Sequence, residues 1–183
     1  MTDLKSGPNP LFLRHDQLHQ GIELLFYAYR DFTAECDAIL ATYGFGRAHH
    51  RVIYFVARSP SISVAELLAI LRITKQSLSR VLSRLVSEGF VSVQKAQEDR
   101  RRRLLQLTDK GSVLERRLSE VQRARIGAAY RAAGGDAVEG YRKVLLGIID
   151  ENETYSNLRE YQARIYGRFD QRFAIPSQFG LIS

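Results

Sequence analysis

Glu98-Asp99-Arg100-Arg101-Arg102-Arg103-Leu104-Leu105-Gln106-Leu107-Thr108 holds four consecutive arginines, with an alternating apolar run after them and another, Phe90-Val91-Ser92-Val93, before. Two such runs joined by a charged turn predict a β-hairpin. Four guanidinium groups at its tip repel one another unless an anion lies close; the plain alternative is a solvated charge run on an ordinary hairpin. Upstream, Thr74 to Glu88 has the spacing of an amphipathic helix whose outer face is Gln, Ser and Arg. A basic hairpin following such a helix points to a surface that grips DNA.

The charge is localised. Between Arg72 and Lys110 ten Lys/Arg face four acids, which accounts for nearly all of the net charge of +7. Concentrated positive charge is the footprint of a polyanionic partner. Apolar content of 45% and charged content of 26% over 183 residues fit one globular core with extensions. The longest apolar run, Val52 to Ala57, is far too short to cross a membrane, and polar Met1 to Pro10 lacks the apolar stretch of a signal peptide. The single cysteine, Cys36, forms no internal disulfide, which fits a cytoplasmic location.

Working outward, a helical stripe (Leu18, Ile22, Leu25, Tyr29, Phe32, Cys36, Ile39, Leu40) predicts one helix from Asp16 to about Tyr43, roughly 40 Å long, ended by Gly44-Phe45-Gly46. Arg47 to Arg58 reads as a second helix, stopped by Ser59-Pro60. Ser63 and Glu66 have capping-box spacing and open a short helix to about Leu71. Only Arg72-Ile73-Thr74 separates it from the next, and two short helices joined this tightly form a helix-turn-helix. Gly89 closes the second of the pair. After the hairpin, Thr108 caps a long helix to about Ala133, Gly134-Gly135 break it, and a last helix starts near Asp136.

On the helix starting at Lys75, Leu78, Val81, Leu82 and Leu85 share one side, which leaves Gln76, Arg80, Ser83 and Ser87 opposite with Ser79 and Arg84 flanking. Arg suits guanine O6/N7 and Gln suits adenine N6/N7, while Ser serves either bases or phosphates. The N-terminal half of such a helix normally enters the major groove. Gln76, Ser79 and Arg80 are therefore the expected base readers. Lys75, Ser77 and Arg84 are placed for phosphates, which position a protein without reading sequence. An ordinary polar surface is the alternative.

The run Val64-Ala65-Glu66-Leu67-Leu68 through Ser77-Leu78-Ser79-Arg80-Val81 to Leu85-Val86-Ser87-Glu88-Gly89-Phe90-Val91 resembles the winged helix-turn-helix of the MarR family of bacterial regulators. The family's wing pattern, D-x-R, a strand, then L-T-x-x-G, is met by Asp99, Arg101, Leu107, Thr108 and Gly111. The likeness is close over about Arg47 to Glu115 and extends in helix order from Asp16 to Ile149. It implies a mainly α fold with a two-stranded β wing and long N- and C-terminal dimerisation helices. It also implies that Arg101 enters the minor groove, held by Asp99, with Arg100, Arg102 and Arg103 adding phosphate contacts. A homodimer on a roughly palindromic operator follows. The outer helices support it independently, being more apolar than a short winged domain can cover.

The implied division is a flexible lead over 1–15, a dimerisation helix over 16–46, the DNA-binding domain over 47–107, C-terminal dimerisation helices over 108–156 and an extension over 157–183. The extension has no counterpart in a typical member. Its Leu158, Tyr161, Ile165, Phe169 and Phe173 stripe suits an added staple over the dimer interface, and its arginines suit a mobile basic arm.

Some relatives carry a small-molecule effector pocket between the first two helices and the helix after the wing. Tyr27, Arg30, Phe45, His49 and Tyr54 are the residues that would line it here, with core packing an equal explanation of the aromatics. Cys36 lies on the apolar stripe beside Glu35 and Asp37, which favours a buried structural thiol over a redox sensor. His15 and His19 are one helical turn apart, but only Asp16 and Glu23 lie near to complete a zinc site, so no metal or other cofactor is expected. G-x-G-x-x-G, P-loop, H-E-x-x-H and G-x-S-x-G patterns are all missing, which argues against an enzyme. The sequence reading is thus a DNA-binding regulator, by default a repressor. The alternative is a winged-helix module that binds protein or RNA.

Overall fold

The computed structural model describes residues 14–95 and 103–149. Along them run α1 (His15–Ala41), α2 (Arg47–Arg58), β1 (Ile62–Ser63), α3 (Val64–Leu71), α4 (Lys75–Ser87), β2 (Val91–Lys95), β3 (Arg103–Leu107), α5 (Asp109–Ala133) and α6 (Gly135–Ile148). The expected lead and the C-terminal extension lie outside the described residues.

Short-range signals set most of the boundaries. The Ser63 hydroxyl accepts the Glu66 N–H at 3.2 Å, and the Glu66 carboxylate accepts the Ser63 N–H at 2.8 Å, a reciprocal capping box. Thr74 and Thr108 cap α4 and α5 by accepting from the Ser77 and Gly111 amides, both at 3.1 Å. Gly89 turns the chain out of α4 at φ +76°, while the Phe90 N–H returns to the Leu85 carbonyl at 2.8 Å.

The two-stranded wing, β2 and β3, gains a third strand that the sequence did not announce: the sheet is antiparallel in the order β1-β3-β2, with Ile62 opposite Leu105 and Ser63 opposite Leu104. A two-residue strand is too short to show alternation, and Ser63 carries its stronger helix-capping signal at the same place. Pairing with β1 brings Ile62 against fully buried Leu105, so the wing is anchored to the helical domain.

One core joins the elements. Val52, Ile53 and Val56 of α2, Leu67 of α3, Leu78 and Leu85 of α4, Leu105 of β3, and Leu114 and Leu118 of α5 are buried together. Each fully buried aliphatic side chain of this kind contributes about 1.5–3 kcal/mol. Cys36 and Leu40 add the last turns of α1 to the cluster. α1 before Phe32 is left bare: Leu18, Ile22, Leu25 and Tyr29 are 46–65% exposed. No residue of α6 is buried, and Val144 and Ile148 are likewise open. Among the described residues no helix is long and apolar enough to cross a membrane.

Candidate nucleic-acid interface

The turn between α3 and α4 sets the aim of the site. Arg72 ends α3 in the left-handed region, at φ 49° and ψ 44°, with its N–H on the Leu68 carbonyl at 2.9 Å. That reversal lets Thr74 start α4 within two residues. The helix then buries Leu78, Val81, Leu82 and Leu85 and presents Lys75, Gln76, Ser79, Arg80 and Ser83 to solvent. Among the described residues nothing forms a hydrogen bond or ion pair with the side chains of Lys75, Gln76, Ser79 or Arg80. Ser77 is already engaged, since its hydroxyl accepts from the Thr74 hydroxyl at 2.8 Å.

The wing stands on the same side. Register runs from Val91 opposite Leu107 to Lys95 opposite Arg103, so the ladder ends on two basic residues. An open groove of about 920 Å³ lies between α4 and the sheet, with Lys75, Ser79 and Ser83 on one wall and Arg103 on the other. Of the expected helix residues, Lys75 and Ser79 thus share this groove with Arg103 at the base of the wing, while Gln76 and Arg80 are exposed outside its lining. Asp99, Arg100, Arg101 and Arg102, expected at the tip, lie outside the described residues.

Arg84 is used otherwise than expected. Its Nη1 donates to the Gly44 carbonyl at 2.6 Å, its Nη2 to the Tyr43 carbonyl at 3.3 Å, and its Nε to Glu88 at 2.8 Å. The guanidinium also lies over the Phe45 ring, 5.0 Å from its centre. These bonds join the reading helix to the α1–α2 corner and occupy the charge that was expected to meet phosphate. Lys110, which sequence reasoning passed over, does the same at the start of α5. Its Nζ donates to the Glu88 carbonyl at 2.8 Å and sits 4.2 Å from the Phe90 ring centre.

The five residues expected to line an effector pocket fall into three local contacts. Tyr27 and Arg30 lie on the bare part of α1, with Arg30 stacked over Tyr27 and paired with Asp31 at 2.8 Å. Phe45 and His49 stack on each other at 4.7 Å in the α1–α2 corner. Tyr54 packs against Phe55 and Arg58. Five residues separate Tyr54 from His49, which rotates it about 140° round α2 and away from the corner.

Cys36 is buried, its thiol on the Leu118 carbonyl at 3.6 Å. Burial first, then Asp37 and Glu35, push that thiol up from its ordinary pKa, which suits packing rather than reactivity. His15 and His19 touch at 4.2 Å, and among the described residues no group of three or more His, Cys, Asp or Glu is placed to hold a metal.

His49 gives the corner a pH dependence. Its Nδ1 accepts the Gly46 N–H at 3.1 Å, which requires an unprotonated nitrogen. Burial, then the Arg84 charge, hold its pKa below the ordinary 6.5, and burial does the same to His50. Around pH 6 the folded chain therefore binds fewer protons than the unfolded one. Stability is complete above about pH 6.5 and declines as pH falls toward the lowered folded values. The depressed carboxyls of Asp31 and Glu139 act only at more acid pH. Thermal melts between pH 7.5 and 5.5 should show a falling Tm, with a smaller fall for His49→Gln; a flat profile contradicts the assignment.

A MarR family model matches residues 43–102, from the α1–α2 corner to the residue before β3. The HTH-type transcriptional regulator PetP of Rhodobacter capsulatus is 51% identical over 149 residues, covering 81% of this chain and 90% of that protein. The chain belongs to the MarR family. Solved structures share the fold of this MarR-family chain. One is Streptococcus pneumoniae FabT in complex with DNA, at 16% identity and a TM-score of 0.66, covering 78% of this chain and 98% of FabT. Another is NadR in complex with 4-hydroxyphenylacetate, at 22% identity and a TM-score of 0.59, covering 81% of this chain and 96% of NadR. MarR-family membership makes the chain a DNA-binding transcriptional regulator and not an enzyme.

Proposed function

We propose that this regulator acts in the cytoplasm as a homodimer on a pseudo-palindromic operator and represses by occupying it. The observation that carries the reading is the exposed Gln76-Ser79-Arg80 face of α4, unpartnered among the described residues and bordering, through Ser79, the groove that Arg103 of the wing also lines. Those three residues read base edges in the major groove. Lys75, Ser77, Arg100, Arg102 and Arg103 meet phosphates, and Arg101, steadied by Asp99, enters the minor groove. Arg84 is left out of the phosphate set because its donors are spent on the corner. The bare apolar faces of α1 and α6 support the dimer, since contiguous exposed apolar faces mark interaction surfaces. No effector is assigned; the residues expected to bind one make three local contacts of their own.

Sedimentation velocity with and without duplex tests the assembly. A dimer alone and two chains per operator are expected; a monomer that binds as a monomer contradicts it. Arg101→Ala should weaken operator binding by about 1.5–3 kcal/mol, the range for a hydrogen bond to a charged group. Its preference among major-groove sequence variants should stay unchanged. Wild-type affinity and an unaltered hydroxyl-radical footprint would remove the wing contact.

A further inference from the structure

We propose that Arg84 is a positioning residue: it fixes the reading helix relative to the α1 arm and so sets the half-site spacing that the dimer accepts. The inference rests on the homodimer reading above. Tyr43 and Gly44 lie in the turn just past the end of α1, and neither carbonyl takes a turn or loop backbone N–H among the described residues. A planar guanidinium can answer two such carbonyls at once, which an ammonium cannot do with the same geometry. Arg84 does this from α4, across 40 residues of sequence, with its Nη1 on Gly44 at 2.6 Å and its Nη2 on Tyr43 at 3.3 Å.

The surroundings hold the fork in place. Glu88 takes the Nε at 2.8 Å, and the Phe45 ring, itself stacked on His49, lies beneath the guanidinium. Gly44 sits at φ +64°, and a Cβ there would come within 2.8 Å of Arg84 Nη2. An alanine at position 44 would therefore push the fork aside, and would also have to hold a left-handed backbone that L side chains rarely adopt. Arg84 leaves α4 one turn beyond Arg80, so any movement of the corner is passed directly to the reading face. Leverage makes that movement matter. A rotation of about 5° at the corner shifts the end of a ~40 Å arm by about 3.5 Å, which matches the ~3.4 Å step between base pairs.

The test uses full-length protein and the duplex that wild type enriches from a random-sequence pool, resynthesised with its centre shortened or lengthened by one base pair, and as a single half-site. Arg84→Met keeps the stem and removes the fork; Gly44→Ala disturbs the fork without touching α4. Both should bind the best duplex on the order of tenfold more weakly, a loss of about 1.4 kcal/mol. Single half-site affinity and the salt slope should match wild type, and discrimination among the three spacings should shrink. Equal loss on the half-site and the full duplex, with the slope reduced by about 0.9, would make Arg84 a phosphate contact and overturn the inference. Unchanged spacing discrimination in the folded Gly44→Ala protein would also overturn it. A wild-type protein that enriches no paired sites would instead defeat the homodimer reading, and this inference with it.

Discussion

Gly111→Ala is expected to cost the fold about 3 kcal/mol or more, although alanine is the better helix former by about 1 kcal/mol. Gly111 lies in the first turn of α5, where its N–H is held by the Thr108 cap at 3.1 Å. A Cβ there would stand 2.1 Å from the Phe90 carbonyl oxygen and 3.1 Å from its carbon. That carbonyl cannot move aside, because it accepts the Thr108 N–H at 3.1 Å and belongs to the residue that leads into the wing. The end of the reading helix, the start of the wing and the start of α5 meet at this point. Separation there exposes Phe90 and lifts Leu114 from the core. Urea unfolding of the variant measures the loss directly. A variant as stable as wild type would mean that α5 does not seat this closely on Phe90.

Arg80→Ala should weaken binding to the operator by about 1–3 kcal/mol and relax the preference at one base pair of each half-site. Arg80 is exposed on the N-terminal half of α4, flanked by Gln76 and Ser79, and its guanidinium has no hydrogen-bond or ion-pair partner among the described residues. Arg84, one turn later, differs in that respect, and this contrast is the reason to assign base reading to one and positioning to the other. Stability should hardly change, since Arg80 anchors nothing in the fold. Binding curves on matched, mismatched and random duplexes decide the matter. Equal losses on all three would reduce Arg80 to a backbone contact.

Much of the fold was legible because its signals act over one helical turn. Ser63 with Glu66, and Thr108, each announce a cap, and Gly89 and Gly134 each end a helix. The burial of Leu78, Val81, Leu82 and Leu85 follows from period alone. What could not be read depends on partners distant in sequence. β1 exists only through its pairing with Leu104 and Leu105, some forty residues on. The carbonyls that claim Arg84 lie equally far upstream, and only Glu88, four residues away, offered a local hint of its engagement. The residues offered as an effector lining were grouped by chemistry alone, and their packing was not legible: Phe45 stacks on His49, Tyr54 packs against Phe55, and Arg30 lies over Tyr27.

The most direct test of the central claim is fluorescence anisotropy of the purified protein on its own upstream DNA and on a scrambled duplex, across a salt series. Sequence-specific reading by α4 predicts a preference of about a thousandfold or more with a steep salt slope. Equal, strongly salt-dependent binding to both duplexes, and to the duplexes best enriched from a random pool, would contradict base reading. Failure to bind any of them at low salt would contradict the DNA interface altogether and favour a winged helix that recognises protein or RNA.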